Sequence, residues 1–274
     1  MIAVTNLGLD ETETIVLDRP AIHLSLSPNG QLIAYSSGER NDSNLHVNIH
    51  VHDRKTHSDK KVVSWPYNFT ESVISSPAFI SDDLVIFETT WFTKETSSLM
   101  TVNLNEGDIE TILNDENIFI GPKASPNGKK IIYLCGGLDK RKELPGFQIC
   151  LFDYKNNDIR LLTSDGGHHG SFLFTPDSKK VVYTEVEALR LIEHLRGPYR
   201  RVYSIDINGK NRQKVIDFEG AIRAISEDGQ DIILEGRPNE NYPYSIYIVD
   251  IDGSNLRHLT YFDEFLADWY PDEE

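Results

Sequence analysis

The chain has 274 residues, with 27 basic side chains against 43 acidic ones and a formal charge of −16. A surface that acidic repels phosphate backbones and anionic lipid, which argues against nucleic-acid partners, and no apolar run reaches the ~20 residues of a helical membrane span. Two cysteines, Cys135 and Cys150, are too few for a disulfide framework and are expected to be reduced and buried; with no basic, apolar leader at the N-terminus, a cytoplasmic setting follows.

In sequence order, "IAVTNLGLDETETIVL" (2–17) comes first, two short alternating strands around a polar turn. A second kind of signal opens with "SPNGQLIAY" (27–35). Proline presets φ, Asn tolerates the next turn position, Gly supplies positive φ, and a β-branched and aromatic run follows. The same wording returns as "ISDDLVIF" (80–87), "SPNGKKIIY" (125–133), "TPDSKKVVY" (175–183) and "SEDGQDIIL" (226–234), and in truncated form as "YPDEE" (270–274). Each full copy is followed by a strand, polar turn and strand: "NIHVHDRKTHSDKKVV" (48–63), "MTVNLNEGDIETIL" (100–113), "ICLFDYKNNDIRLLT" (149–163), "VYSIDINGKNRQKVI" (202–216) and "IYIVDIDGSNLRHLT" (246–260). Asn-Gly and Asp-Gly centres mark hairpins. Six copies of each signal, at a period of roughly 44 to 54 residues, predict six units of up to four strands. One stretch dissents: in "EVEALRLIEHLRG" (185–197), Ala188, Leu191, Ile192 and Leu195 stand three or four apart and predict a short helix.

An SPDG-like turn and strand followed by a DxxG-like turn and strand resembles the propeller repeat of the TolB family, over essentially the whole sequence. Related repeats occur in oligogalacturonate lyases and in prolyl oligopeptidase-type peptidases. The resemblance implies an all-β protein, a single six-bladed β-propeller domain over 1–274. The N- and C-terminal strands would share one closing blade, with Ile2–Asn6 and Thr12–Leu17 as outer strands and Phe265–Tyr270 innermost, by nature three-stranded or cut short. The helical insert would fall in blade four.

Successive loops of an up-and-down blade alternate between two faces, so both kinds of hairpin turn share one face. The longer, more varied loops occupy the other, where ligand sites usually sit. There "TSDGGHHGSF" (163–172) sets His168 and His169 beside glycines, and the insert brings Arg190, His194, Arg196, Arg200 and Arg201 to the same blade. Such a basic cluster suits a carboxylate or phosphate, or else simply pairs with the surrounding acids. Aromatic residues expected on that face include Trp65, Trp91, Tyr242, Tyr244 and Trp269, fit to stack on a sugar, anchor a protein or pack between blades. The candidate ligand-binding residues are therefore His168, His169, Arg190, His194, Arg196, Arg200, Trp91 and Trp269, with no catalytic residue among them.

There is no GxSxG nucleophile elbow, no glycine-rich phosphate loop and no CxxC pair. Resemblance to TolB implies a non-catalytic, monomeric scaffold that recognises a protein or peptide at the mouth of a central channel and needs no cofactor. Resemblance to the lyases implies the alternative: an enzyme using a divalent metal, or a binding module, acting on an acidic carbohydrate, with His168 or His169 as a ligand. A metal wants three or more converging ligands, and His23 is the only other histidine on a comparable loop.

Overall fold

The computed structural model describes residues 2–6, 11–17, 19–41, 44–67, 73–91, 96–115, 118–136, 147–163, 168–186 and 200–261. They form two compact units, 1–124 and 125–274.

The first unit opens with a ribbon of β1 (Ile2–Asn6) and β2 (Glu11–Ile15), paired antiparallel. Blade one is the meander β3 (Ile22–Leu26), β4 (Leu32–Asn41), β5 (Asn44–Asp53) and β6 (Ser58–Tyr67). Blade two is β7 (Val73–Ser81), β8 (Leu84–Trp91), β9 (Thr96–Asn103) and β10 (Ile109–Asp115). Next comes β11 (Ile118–Ala124), first in the sheet order of blade three, followed by β12 (Lys130–Gly136), β13 (Gln148–Asp153) and β14 (Asp158–Leu161). Blade four is β15 (His168–Phe174), β16 (Lys180–Val186), β17 (Arg200–Asp206) and β18 (Gln213–Asp217). Blade five is β19 (Glu219–Ile225), β20 (Asp231–Arg237), β21 (Ser245–Asp250) and β22 (Arg257–Tyr261).

The protein is thus an all-β propeller of five blades, which corrects the expectation of six. The N-terminal copy of the repeat makes only the ribbon β1–β2. Its strands, "IAVTN" and "ETETI", carry too few apolar side chains for two strands to stand as a blade. The expected innermost closing strand, Phe265–Tyr270, lies outside the described residues. The helical insert is corrected as well, since the described residues contain no α-helix. Glu185 and Val186, where that helix was to begin, instead continue β16, each paired on both sides: His169 and Arg201 flank Glu185, and His168 and Arg200 flank Val186. The ladder satisfies their backbone groups before a helix could start. The rest of the insert, 187–199, is outside the described residues.

The first turn of each blade explains why its wording repeats. In blade one the Ser27 hydroxyl donates to Asn29 Oδ1 at 2.8 Å and accepts from the Leu32 N–H at 2.9 Å, while Asn29 Oδ1 also accepts from the Gln31 N–H at 2.8 Å. Gly30, at φ 72°, closes the loop by donating to the Ser27 carbonyl at 2.9 Å. Ser125 with Asn127, Thr175 with Asp177, and Ser226 with Asp228 rebuild the same lock in blades three, four and five. Such side-chain bonds satisfy turn amides that no strand can reach.

A fixed distance from that lock to the second strand puts equivalent residues on one cross-strand rung. The rungs read Tyr35 with His50, Phe87 with Met100, Tyr133 with Cys150, Tyr183 with Tyr203, and Leu234 with Tyr247. Blades then pack face to face. Ala34, Ile49 and Val51 of blade one meet Phe79, Val85 and Phe87 of blade two. In the second unit Ile132 and Leu151 meet Phe172, Phe174 and Tyr183, and Val182 and Val202 meet Ile222, Leu234 and Tyr247. First strands lie side by side within each unit, β3 with β7 and β7 with β11, and β15 with β19. Hydrogen bonds tie them: Phe79 N–H to Ser25 Oγ at 3.3 Å, and Ile222 N–H to Ser171 Oγ at 2.7 Å.

The cysteines also depart from expectation, because they are joined in a disulfide. Cys135 faces Gln148 and Cys150 faces Tyr133 across the β12–β13 pair, which makes the two cysteines diagonal neighbours with Cα atoms 5.7 Å apart. That separation lies within the span a disulfide bridges. Closing a loop of 15 residues in sequence contributes about 3 kcal/mol by the loss of unfolded-state entropy.

Candidate functional site

The expected basic and aromatic cluster is only partly in view. His168 and His169 sit in β15, not in a loop, and His169 is buried with its ring edge-on to Tyr183, centroids 5.3 Å apart. His168 and Arg200 share a row with Val186 between them, and Trp91 ends β8. The side chains of those three, and all of Arg190, His194, Arg196 and Trp269, lie outside the described residues. Arg201 pairs with Asp217 at 3.5 Å. Sequence reasoning missed Arg212, which lies over the Tyr203 ring at 3.8 Å, donates to the Tyr183 hydroxyl at 2.7 Å and pairs with Glu185.

A different site emerges on the first strands of the first unit. Each of these strands carries a left-handed residue: His23 at φ 53° in β3, Ser76 at φ 51° in β7 and Gly121 at φ 62° in β11. The ladders slip at the first two, between Ile22 and Ser25 and between Ser75 and Ala78. Positive φ at a non-glycine residue is uncommon, and bulges redirect side chains next to binding sites. Buried Glu88 on β8 takes the Gly121 N–H on Oε1 at 3.5 Å. Burial holds the half-buried Lys123 ammonium below the usual lysine range, with the Glu88 carboxylate acting the other way. His23 is exposed at its surface. Even so, the strands around it strip enough water to lower its pKa, and the charge of Lys123 lowers it further. Lys123 thus stands within electrostatic reach of both Glu88 and His23.

Beside His23 the aliphatic side chains of β3 are exposed, Leu26 on the side of Ile33 and Ile22, beyond the slip, on the side of Ser36. Ile22, Leu24 and Leu26 are 54%, 43% and 47% exposed, although β3 is a strand of a folded sheet. The counterparts of Leu24 and Leu26 by distance to the turn, Phe172 and Phe174 in blade four, are 6% and 7% exposed because a preceding blade covers them. Among the described residues no four-stranded sheet precedes blade one. The alternation in "IHLSL" was readable in the sequence, but its exposure was not.

Farther out on blade one, buried His50 stacks on Tyr35 with ring centroids 5.2 Å apart. Its Nδ1 is 3.4 Å from Asp59 Oδ2 and its Nε2 is 3.4 Å from Arg19. The Tyr35 hydroxyl donates to the same carboxylate at 2.7 Å. Buried His52 places Nδ1 4.0 Å from Asp59 Oδ1. Among the described residues no three histidine, cysteine or acidic side chains are arranged to hold a metal. A groove of about 460 Å³ at the turns of blades four and five, lined by Asp177, Lys180, Glu227 and Asp228, lies on the face opposite the long loops.

No protein-family model matches the sequence, and no curated protein matches it either. Solved structures do. TolB from Acinetobacter baumannii superposes with a TM-score of 0.68 at 18% identity, over 92% of this chain and 57% of that one. An oligogalacturonate lyase in complex with manganese gives 0.65 at 17% identity, over 95% and 70%. The Pyrococcus horikoshii acylaminoacyl peptidase gives 0.61 at 14%, over 87% and 39%. The protein thus spans little more than half the length of the TolB it resembles. At these identities the likeness shows a TolB-like propeller fold, one that this lyase and this peptidase share and that does not by itself fix a function.

Proposed function

We propose that this propeller is a non-catalytic scaffold that recognises a protein or peptide segment along β3. The observation that carries the reading is the exposed pair Leu24 and Leu26, on one side of the end strand of a sheet. An end strand keeps one edge outside the ladder, so an extended segment can add to it through main-chain hydrogen bonds. Alternate side chains of that segment then cover the aliphatic pair. Sugars favour flat aromatic faces, and this pair has none, which favours a peptide over a carbohydrate.

A random-peptide display library selected on the intact protein tests the reading. Extended binders with alternating aliphatic residues are expected. Leu24→Asp places a charge in the pair and should weaken them by about tenfold or more, the equivalent of losing one buried leucine contact. Failure to select any peptide, or binders indifferent to Leu24→Asp, would sink the reading.

A further inference from the structure

We propose that β14 is a self-association edge, along which two copies of the protein pair antiparallel, with Ile159 opposite Ile159 of the second copy and Asp158 opposite its Arg160. β14 ends a different sheet from β3, so this association does not depend on the peptide reading.

Among the described residues nothing pairs with the second edge of β14, the last strand of blade three. Its register fixes what that edge offers. The Leu162 N–H donates to the Ile149 carbonyl at 2.8 Å, and the pairing continues without a slip through Arg160 with Leu151 and Asp158 with Asp153. Hydrogen-bonded rungs alternate in an antiparallel ladder. The backbone groups of Arg160 and Asp158 therefore turn toward β13, and those of Ile159 and Leu161 turn outward. Ile159 and Leu161 also share one side of the strand, 41% and 56% exposed.

A second β14 reaches these outward groups only when Ile159 or Leu161 of one copy stands opposite Ile159 or Leu161 of the other. Setting Ile159 against Leu161 puts Arg160 opposite Arg160. Setting Leu161 against Leu161 leaves Asp158 past the end of the facing strand. Setting Ile159 against Ile159 puts Asp158 opposite Arg160 twice, on the non-hydrogen-bonded rungs where cross-strand side chains come closest. Neither charge is used within the chain. Arg160 Nε is buried with no hydrogen-bond partner, and Asp158 makes no ion pair among the described residues. The other blades end differently. Lys61 of β6 pairs with Glu39 at 3.1 Å, Lys214 and Asp217 of β18 pair with each other at 2.8 Å, Arg257 of β22 pairs with Asp231 at 2.6 Å, and β10 has acids and no base. Lys155, Asp158 and Arg160 sum to +1 over 154–161 in a chain of −16, which lowers the repulsion between copies at this edge. The pairing is two-fold and stops at two copies, and with four residues in β14 the dimer is weak and reversible.

Sedimentation velocity of the full chain from about 10 µM to about 0.5 mM tests this, with a monomer–dimer equilibrium expected inside that range for an interface under the standard size. Asp158→Lys makes the charges of the strand all basic and Arg160→Glu makes them all acidic, so each alone should dimerise at least about tenfold more weakly. An equimolar mixture of the two should associate to within about threefold of the wild type, because each strand then faces opposite charge at both rungs. Ile159→Pro removes an N–H that the β13 ladder does not use, and should abolish the dimer while circular dichroism shows the fold retained. A chain that stays monomeric throughout overturns the proposal, as does a dimer that neither charge variant weakens or that Ile159→Pro leaves intact. A mixture that fails to recover overturns this register. Association that runs on past two copies overturns the two-fold pairing and marks an edge open to any strand. A misfolded variant cannot produce the recovery, and the wild-type measurement stands without any variant.

Discussion

At the scale of the residue, close approach matters more than polarity. Gly236 on β20 stands opposite Gly220 on β19, at φ 146°, and a Cβ added there would lie 2.1 Å from the Glu219 carbonyl oxygen and 2.8 Å from the Phe218 ring. The two strands can approach because neither carries a side chain at that rung, which lets Phe218 and Tyr247 pack edge to face at 5.6 Å. Gly236→Ala should therefore destabilise the protein by more than about 2 kcal/mol, through a backbone conformation L-residues avoid and a clash with main-chain atoms that cannot swing away. Urea denaturation measures it, and a loss below about 0.5 kcal/mol would show that the strands part easily. The turn residues were legible in the sequence because their bonds are local, as with Ser27 and Asn29. The Gly220–Gly236 contact was not, because strand register had to bring the two together.

At the scale of the element, blade one carries a proton-sensitive tie. His50 can accept from Arg19 only through a bare Nε2, as a neutral ring whose proton sits on Nδ1, 3.4 Å from Asp59 Oδ2. Its pKa is lowered chiefly by burial, then by the Arg19 and Lys61 charges, with Asp59 and Glu39 opposing. The folded state therefore favours the neutral ring. The stability this contributes is fully present above the ordinary histidine value and is lost as pH falls through the lowered one. Protonation also puts a second donor against the Arg19 guanidinium. Between about pH 7 and about pH 5 the thermal midpoint should fall more steeply in the wild type than in His50→Gln, followed by circular dichroism. Parallel slopes would mean that His50 is not a stabilising neutral contact. "NIHVHD" shows two histidines on one side of a strand, but that this side would be buried against Arg19 and Asp59 is not written in it. His169 makes the same point: its glycine-rich surroundings suggest a loop, yet pairing with Glu185 draws it into β15 and under cover. The cysteines follow suit, since a diagonal register across β12 and β13 is a property of the pair of strands and not of either one.

At the scale of the whole molecule, charge works against compactness. A formal charge of −16 on 274 residues gives a net self-repulsion that salt screens. Raising ionic strength from about 0.02 M to about 0.5 M should raise the melting temperature in calorimetry, because close pairs such as Lys130 with Asp153, at 2.7 Å, lose less to screening than the diffuse repulsion does. A fall instead would mean that ion pairs outweigh the repulsion. The repeat itself was legible from end to end: turn chemistry, hairpin centres and strand alternation are all encoded within about ten residues of one another, and they yield meander blades whatever surrounds them. The number of blades was not legible, because a repeat-like N-terminal copy makes only the ribbon β1–β2. By itself the sequence determined the all-β class, the turns and the order of strands within each blade. Tertiary structure alone decided that Leu24 and Leu26 stay uncovered while their counterparts Phe172 and Phe174 are buried. The physical reason is common to these cases. Local bonding chooses turns and strands, whereas burial and electrostatic proximity depend on which strands, distant in sequence, come to lie beside them.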